Sequence, residues 1–600
     1  MEQPAPPPSG KTALPLILLA AVVQGWSLYG LHHAIQWNHW PATHHPWLIG
    51  LYALAVFIPL TMQLLAEHAR AAALWRLLAV LAGVYFYFGW HYGSAVFPAQ
   101  PDPFRAVEYF PFALELGVLW LIALPFAQVR LTAGRWTIQY PLLFATAWRN
   151  KLALAEAALF TGLFWLLLFL WQMLFHMLGI DYFRELFQEP IFAYPATSLT
   201  FGCALHLIGS IERLTSVVLE QLLNVLKWLG LLSGLILALF TVALVLKLPS
   251  VVFTGQKAIG AAWLLWLTAV VVLLLNAAYR DGSSSQPYPR WIAQSFRVVV
   301  PLTVIIGATA MYALVMRDRQ YGLTVERVWA FIVAGAALLY AVGYSAAAWR
   351  SRTWFAGIAR VNVVVAMVLM ALIAAALTPL LSPYRLAANS QFRLIWERGL
   401  AAVDDKHSKE SGYFWVTPLQ YLRFDSGSYG RAKLQELAGL QTGKDAADVR
   451  QLANRLLAQT GRWQAPSAPD FIAAVAQLRI YPAGRTLDVN LRDVLSADLA
   501  NPGKGFLFRN SLDKAAGVFI DLNGDKVEEF VFMNDRSGVV YENRAGQWVS
   551  AASLGADPGN SASRNDWDLF RELAKGNIAA TPPKWNNLSI GDQKFVVSAH

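Results

Sequence analysis

Near the C-terminus, the stretch Asp521-Leu522-Asn523-Gly524-Asp525-Lys526-Val527-Glu528-Glu529 places oxygen-bearing residues at alternate positions. The side chains of Asp521, Asn523, Asp525 and Glu529, with the backbone carbonyl of Val527, have the order in which a loop wraps calcium, an ion that takes about six to eight hard oxygens. The flanks Val518-Phe519-Ile520 and Phe530-Val531-Phe532 read as strands. The spacing is therefore similar to the strand–loop–strand calcium sites of integrin-type repeats, whereas an EF-hand lies between helices and ends on a bidentate Glu. Lys526 departs from that pattern, standing where such loops use Gly for a sharp turn. The competing reading is a polar β-turn closed by Asx hydrogen bonds. Calcium, bound weakly, is the cofactor that the sequence proposes.

A second group with ligand chemistry is His32, His33, His39, His44 and His45, five of the chain's 11 histidines, interleaved with Trp37, Trp40 and Trp47. Imidazoles bind transition metals, but no tight zinc spacing joins these five. An aromatic and imidazole belt at a membrane interface accounts for them equally well. Ionisable residues inside apolar runs are a third group, because charge in hydrocarbon is costly and usually functional. They are His91, Glu115, Glu156, His176 and His206. No run carries two acids at helical spacing, so no proton relay is written here. Phosphate-loop, Gly-x-Ser-x-Gly and His-Glu-x-x-His patterns are absent from the sequence.

The elements that must carry these residues are long and apolar. A helix crossing a bilayer needs about 20 mostly apolar residues. Runs near 13–34, 47–66, 74–97, 110–128, 153–178, 223–247, 257–279, 297–316, 328–349 and 361–381 meet that rule. A weaker run at 191–211, with Pro195, Ser198, Thr200 and His206, sets the parity of the topology. Segments 131–150 and 212–228 have apolar residues at helical intervals and read as linker helices in the headgroup layer. The Pro-rich start is followed by an apolar stretch too long for a signal-peptide core, and reads as preceding a retained first helix.

Charge divides the chain. Residues 1–382 hold 22 Lys+Arg and 14 Asp+Glu, net +8, while residues 383–600 hold 26 and 24, net +2. Most of the excess sits in short loops, where positive charge orients helices. It does not form the basic, aromatic-interleaved stripe of a nucleic-acid binder, so no nucleic acid is expected. If all eleven runs span and the N-terminus is cytoplasmic, the better-charged loops face inward and the tail lies outside. If 191–211 is re-entrant, the tail moves inside. Cys203, the single cysteine, excludes an intramolecular disulfide.

Three domains follow. Residues 1–382 form a mainly α, polytopic transmembrane bundle of about eleven spans; residues 383–465 form a helical soluble stalk, with a charged turn at 404–410. Residues 466–600 form a small β-rich soluble module, giving the tail an α+β character. The module's strand-like stretches are 478–481, 518–520, 529–533, 539–542 and 595–598, with a short helix at 566–575 and Pro466 and Pro469 as its linker.

Three motifs add a resemblance. They are Asn276-Ala277-Ala278-Tyr279-Arg280-Asp281-Gly282; Gln320-Tyr321-Gly322-Leu323-Thr324-Val325-Glu326-Arg327-Val328-Trp329; and Leu422-Arg423-Phe424-Asp425 with Tyr429-Gly430. Together they resemble a family of bacterial polytopic membrane proteins, domain-of-unknown-function family 4153, across residues 70–440. The resemblance implies a bacterial inner-membrane protein and supplies no activity, substrate or catalytic residue. Physically, Thr324 is placed to cap a helix starting at Val325, with Glu326 in its first turn facing the positive end of the dipole. The expectation is a non-enzymatic protein in the lipid bilayer whose extracytoplasmic tail binds or senses an envelope ligand or protein partner. The alternative is a transporter or polytopic membrane enzyme with a polar site between helices. A pocket joining His91, Glu115 and His176 would favour the alternative.

Overall fold

The structure is a computed structural model. It describes residues 14–96, 109–133, 139–210, 212–254, 261–282, 288–350, 355, 357–399, 417–459, 471, 475–500, 515–534, 537–555, 569–576, 578, 580, 588–590 and 593–595. The Pro-rich start, the charged turn 404–410 and the Pro466/Pro469 linker lie outside these residues. The described chain divides into two compact units, Met1–Ala458 and Gln459–His600.

The first unit is helical: α1 (Leu14–Gln36), α2 (His45–Leu65), α3 (Ala72–Val96), α4 (Tyr109–Ala133), α5 (Tyr140–Met177), α6 (Tyr182–Gln188), α7 (Pro190–Ser210), α8 (Glu212–Thr254), α9 (Ala261–Tyr279), α10 (Arg290–Val299), α11 (Leu302–Tyr321), α12 (Val325–Arg350), α13 (Ile358–Ala376), α14 (Pro383–Arg398), α15 (Pro418–Phe424), α16 (Gly427–Ala438) and α17 (Ala446–Ala458). Among the described residues, eleven stretches of helix are long and apolar enough to cross a membrane. They match the eleven apolar runs one for one, and the protein is multi-pass by that measure. The 191–211 run is the continuous helix α7, packed along α1, with no break of the kind a re-entrant hairpin has.

Two buried clusters organise the spans. One joins α2, α3 and α4 through Ile49, Phe57, Phe88 and Trp120, and the other joins α8 to α12 through Leu237, Leu275, Ile306 and Tyr344. Helix α13 ties them together, with Ile358 in the second cluster and Ile373 in the first. A buried polar network adds specificity. Asn276 donates to the Tyr344 hydroxyl (2.7 Å), Tyr344 donates to Asn362 (2.5 Å), and Asn362 donates to Tyr140 (2.8 Å) and Asn276 (2.6 Å). Four helices thus satisfy one another's polar groups where lipid offers no partner.

The two linker helices expected in the headgroup layer are instead parts of longer helices. Residues 140–150 begin α5, and 212–228 begin α8. At 38 and 43 residues, these run roughly 57 and 65 Å, against a hydrocarbon core of about 30 Å. Their amphipathic first turns therefore project beyond the core.

The second unit has β1 (Arg479–Tyr481), α18 (Val489–Ala500), β2 (Ala516–Ile520), β3 (Glu529–Met533), β4 (Ser537–Arg544), β5 (Gln547–Gly555), α19 (Leu569–Ala574), β6 (Leu588–Ile590) and β7 (Gln593–Phe595). The main sheet runs β1-β2-β3-β4-β5, with β1 parallel to β2 and the rest antiparallel. Side chains alternate across β3. Phe530 and Phe532 pack with Leu491 and Leu495 of α18, while Val531 packs with Leu569 and Leu573 of α19. The sheet is thus covered on both faces, and β6 and β7 form a separate hairpin.

Candidate functional site

The β2–β3 connection brings Asp521, Asn523, Asp525 and Glu529 onto one loop. Asp521 accepts from the Gly524 and Lys526 amides (2.7 and 3.0 Å), Asn523 Oδ1 from the Asp525 amide (2.8 Å), and Asp525 from the Val527 amide (2.7 Å). Buried Glu529 accepts from the Leu522 amide and from Asn523 Nδ2, both at 2.7 Å. Asn523 Nδ2 also donates to Asp525 (3.0 Å), so this amide supplies the positive pole between two carboxylates. Lys526 does adopt the left-handed backbone, with φ 71°. The arrangement is a chain of Asx turns whose oxygens accept from the loop's own amides. Among the described residues, no three His, Cys, Asp or Glu side chains converge closely enough to hold a metal ion.

The histidines between the last turns of α1 and the start of α2 disperse. His32 meets the Tyr194 hydroxyl on α7 (3.2 Å), His33 lies between the rings of Tyr29 and Trp37, and His44 meets Thr43 (3.0 Å). His45 is buried against Tyr109 on α4 (3.3 Å). Each of these four joins an aromatic or hydroxyl neighbour, and they do not converge on one point.

Of the ionisable residues inside spans, His91 and Glu115 line one small cavity with Tyr92, Ser382 and Tyr384. His91 Nδ1 lies 2.9 Å from the Leu377 carbonyl, which can only accept; Nδ1 therefore carries the proton, and Nε2 receives the Tyr429 hydroxyl at 3.4 Å. His176 is elsewhere, exposed at the end of α5 and 2.5 Å from Asp181. Glu156 on α5 and His206 on α7 are half-buried. The cavity beside His91 and Glu115 is small, about 10 Å³, on the order of the room one water takes.

The second sequence motif meets α14 and α15. Gly322 ends α11 with φ 70°, a conformation that a side chain resists, and turns the chain toward α14. There buried Gln391 donates to the carbonyls of Tyr321 (3.0 Å) and Leu323 (2.8 Å), while Ser390 accepts from the Leu323 amide (2.9 Å). Tyr421 on α15 accepts from the Val325 amide (2.8 Å), and Thr324 from the Arg327 amide (3.3 Å). Burial, reinforced by the Glu326 carboxylate, raises the Tyr421 hydroxyl above its ordinary range, so it stays protonated. Arg327 donates to the Gly322 carbonyl, and Arg398 to those of Arg319 and Gln320 (2.8 Å each).

On the opposite side Gly427, φ 59°, brings α16 onto the end of α3. A Cβ there would lie 2.0 Å from the Ala95 carbonyl, which also accepts from Ser428 (3.1 Å). The helices after Ser382 are therefore clasped to the ends of α3, α11 and α12. The sequence announced Thr324 as a cap. It gave no local sign of Gln391, Ser390 or Tyr421, whose partners are 67 to 96 residues away. No family model, curated protein or solved structure matches the chain.

Proposed function

We propose that this is a bacterial inner-membrane protein of the unknown-function family it resembles, non-enzymatic, whose segments after Ser382 lie outside the cytoplasm and bind or sense an envelope ligand, with calcium held at residues 521–529. The clasp is the observation that carries this reading. A tethered domain would need only a linker, whereas α14 to α16 share main-chain hydrogen bonds with the ends of three spans. A ligand that shifts these helices biases the spans directly, through contiguous hydrogen-bonded contacts. The second reading, a transporter or membrane enzyme, draws on the pairing of His91 with Glu115 in one cavity. It requires a second state that widens this space.

Calcium binding supplies the test. A site with Kd on the order of 10⁻⁴ M gains about 1.4 kcal/mol at about 1 mM calcium by mass action. The full chain in mild detergent is expected to unfold its second unit at higher temperature with calcium, and less so with magnesium. Asp525→Ala, which removes a carboxylate from the loop centre, is expected to abolish the shift. A calcium-insensitive transition in folded protein would leave the loop a hairpin turn and remove calcium from the reading.

A further inference from the structure

A cleft of about 640 Å³ lies on α2 between the C-terminal end of α1 and the N-terminal turns of α4. Among the described residues its lining contains no Lys, Arg, Asp or Glu. Three polar side chains mark one end, Asn38 just beyond α1, His45 at the start of α2, and Tyr109 at the start of α4, hydrogen-bonded to His45, while Tyr52 lies two turns further along α2. Below them the walls turn apolar, with Ile49, Ala53, Phe57 and Phe112. Such a volume, apolar with a few convergent polar groups, is typical of a small-molecule site.

Two further observations identify the occupant. From His45 to Phe57 the cleft follows 12 residues of helix, or roughly 18 Å. Half of a bilayer's hydrocarbon core is about 15 Å, so the cleft is one leaflet deep. Its polar end coincides with Trp37, Trp40 and Trp47, which are 64, 60 and 45% exposed and have the placement of an interfacial aromatic belt. That end is also the end on which α16 is clasped. Gly93 of α3 packs on the His45 and Pro46 backbone, and two residues later Ala95 accepts from Ser428.

We propose that this cleft binds one acyl chain of a phospholipid drawn from the leaflet at the clasped end of the bundle, with the lipid's ester and phosphate oxygens at Asn38, His45 and Tyr109. The hydroxyl, amide and imidazole groups of Tyr109, Asn38 and His45 suit hydrogen bonding to these oxygens. Because the lipid sits beside the α3 end that carries α16, its occupancy stabilises the wall on which the clasp rests.

The test is photo-crosslinking of the full chain in phosphatidylcholine vesicles containing a trace of phosphatidylcholine with a diazirine at one acyl-chain terminus. Adducts are expected to concentrate on residues 53–57, several-fold above the exposed lipid-facing residues Leu163, Leu166 and Leu167 of α5. Ala113→Trp fills the cleft from an exposed position and is expected to remove the excess without changing the α5 adducts. Adducts on α2 no denser than on α5 in the unsubstituted protein would overturn the proposal, and that comparison holds even if Ala113→Trp misfolds. An excess that persists in folded Ala113→Trp protein would overturn it too.

Discussion

Gln391 shows what a single side chain does in the clasp. It is 3% exposed and satisfies two carbonyls, so Gln391→Leu leaves both without that donor. A buried acceptor stripped of its partner costs about 1–3 kcal/mol. Thr324→Ala, by contrast, removes one capping bond worth about 1 kcal/mol. Unfolding in detergent is expected to rank Gln391→Leu below Thr324→Ala in stability. The reverse order would mean that the cap, and not the bridge to α14, holds the α11–α12 turn. This contrast also marks what the sequence made legible. A cap is a local pattern of a hydroxyl before an apolar helix, and Thr324 could be read directly. A glutamine that bonds to main chain about 70 residues away leaves no local pattern, because the bond depends on how α14 returns to the bundle. The 521–529 loop sits between these cases. Its spacing assembled the right side chains, but spacing alone does not distinguish a cation from the Asn523 amide as the group they surround.

At the scale of elements, the spans were legible because hydrocarbon imposes a length and composition that about 20 residues must meet together. The extensions of α5 and α8 were legible as amphipathic helix but not as continuous with the spans, since hydropathy stops reporting where a helix leaves the apolar layer while its backbone hydrogen bonds continue. In the second unit β2, β3 and β4 showed alternation, whereas β5, rich in Ser and Ala, carries little β signal. Helix α18 was also missed, although Asp488 accepts from the Leu491 amide (2.6 Å) in the manner of an N-cap. Packing between spans was hidden for a different reason: small residues are silent in hydropathy. Gly25 of α1 approaches α7 so closely that a Cβ would lie 2.6 Å from the Pro195 Cα. Gly25→Leu is expected to force these helices apart and cost about 1–3 kcal/mol, as overpacking does. Gly30 has open space around it, so Gly30→Leu is the matched control and is expected to unfold like the unsubstituted protein. Equal unfolding of the two variants would contradict the close α1–α7 contact.

The whole molecule is governed by parity. Among the described residues eleven helices are long and apolar enough to span; if all of them do, the two ends of the bundle face opposite sides, and α7 is the element on which that count depends. Its continuity from Pro190 to Ser210 supports the odd number. The Lys and Arg of the loops favour a cytoplasmic N-terminus, the orientation on which the proposed extracytoplasmic role depends. The envelope role rests on this sidedness, because a tail facing the cytoplasm meets neither millimolar calcium nor an envelope ligand. The most direct measurement is therefore a pair of reporter fusions at His600, one active only in the cytoplasm and one active only after export. The account predicts activity from the exported reporter and silence from the cytoplasmic one. Activity from the cytoplasmic reporter, with the exported one silent, would contradict it and make the count of spanning helices even.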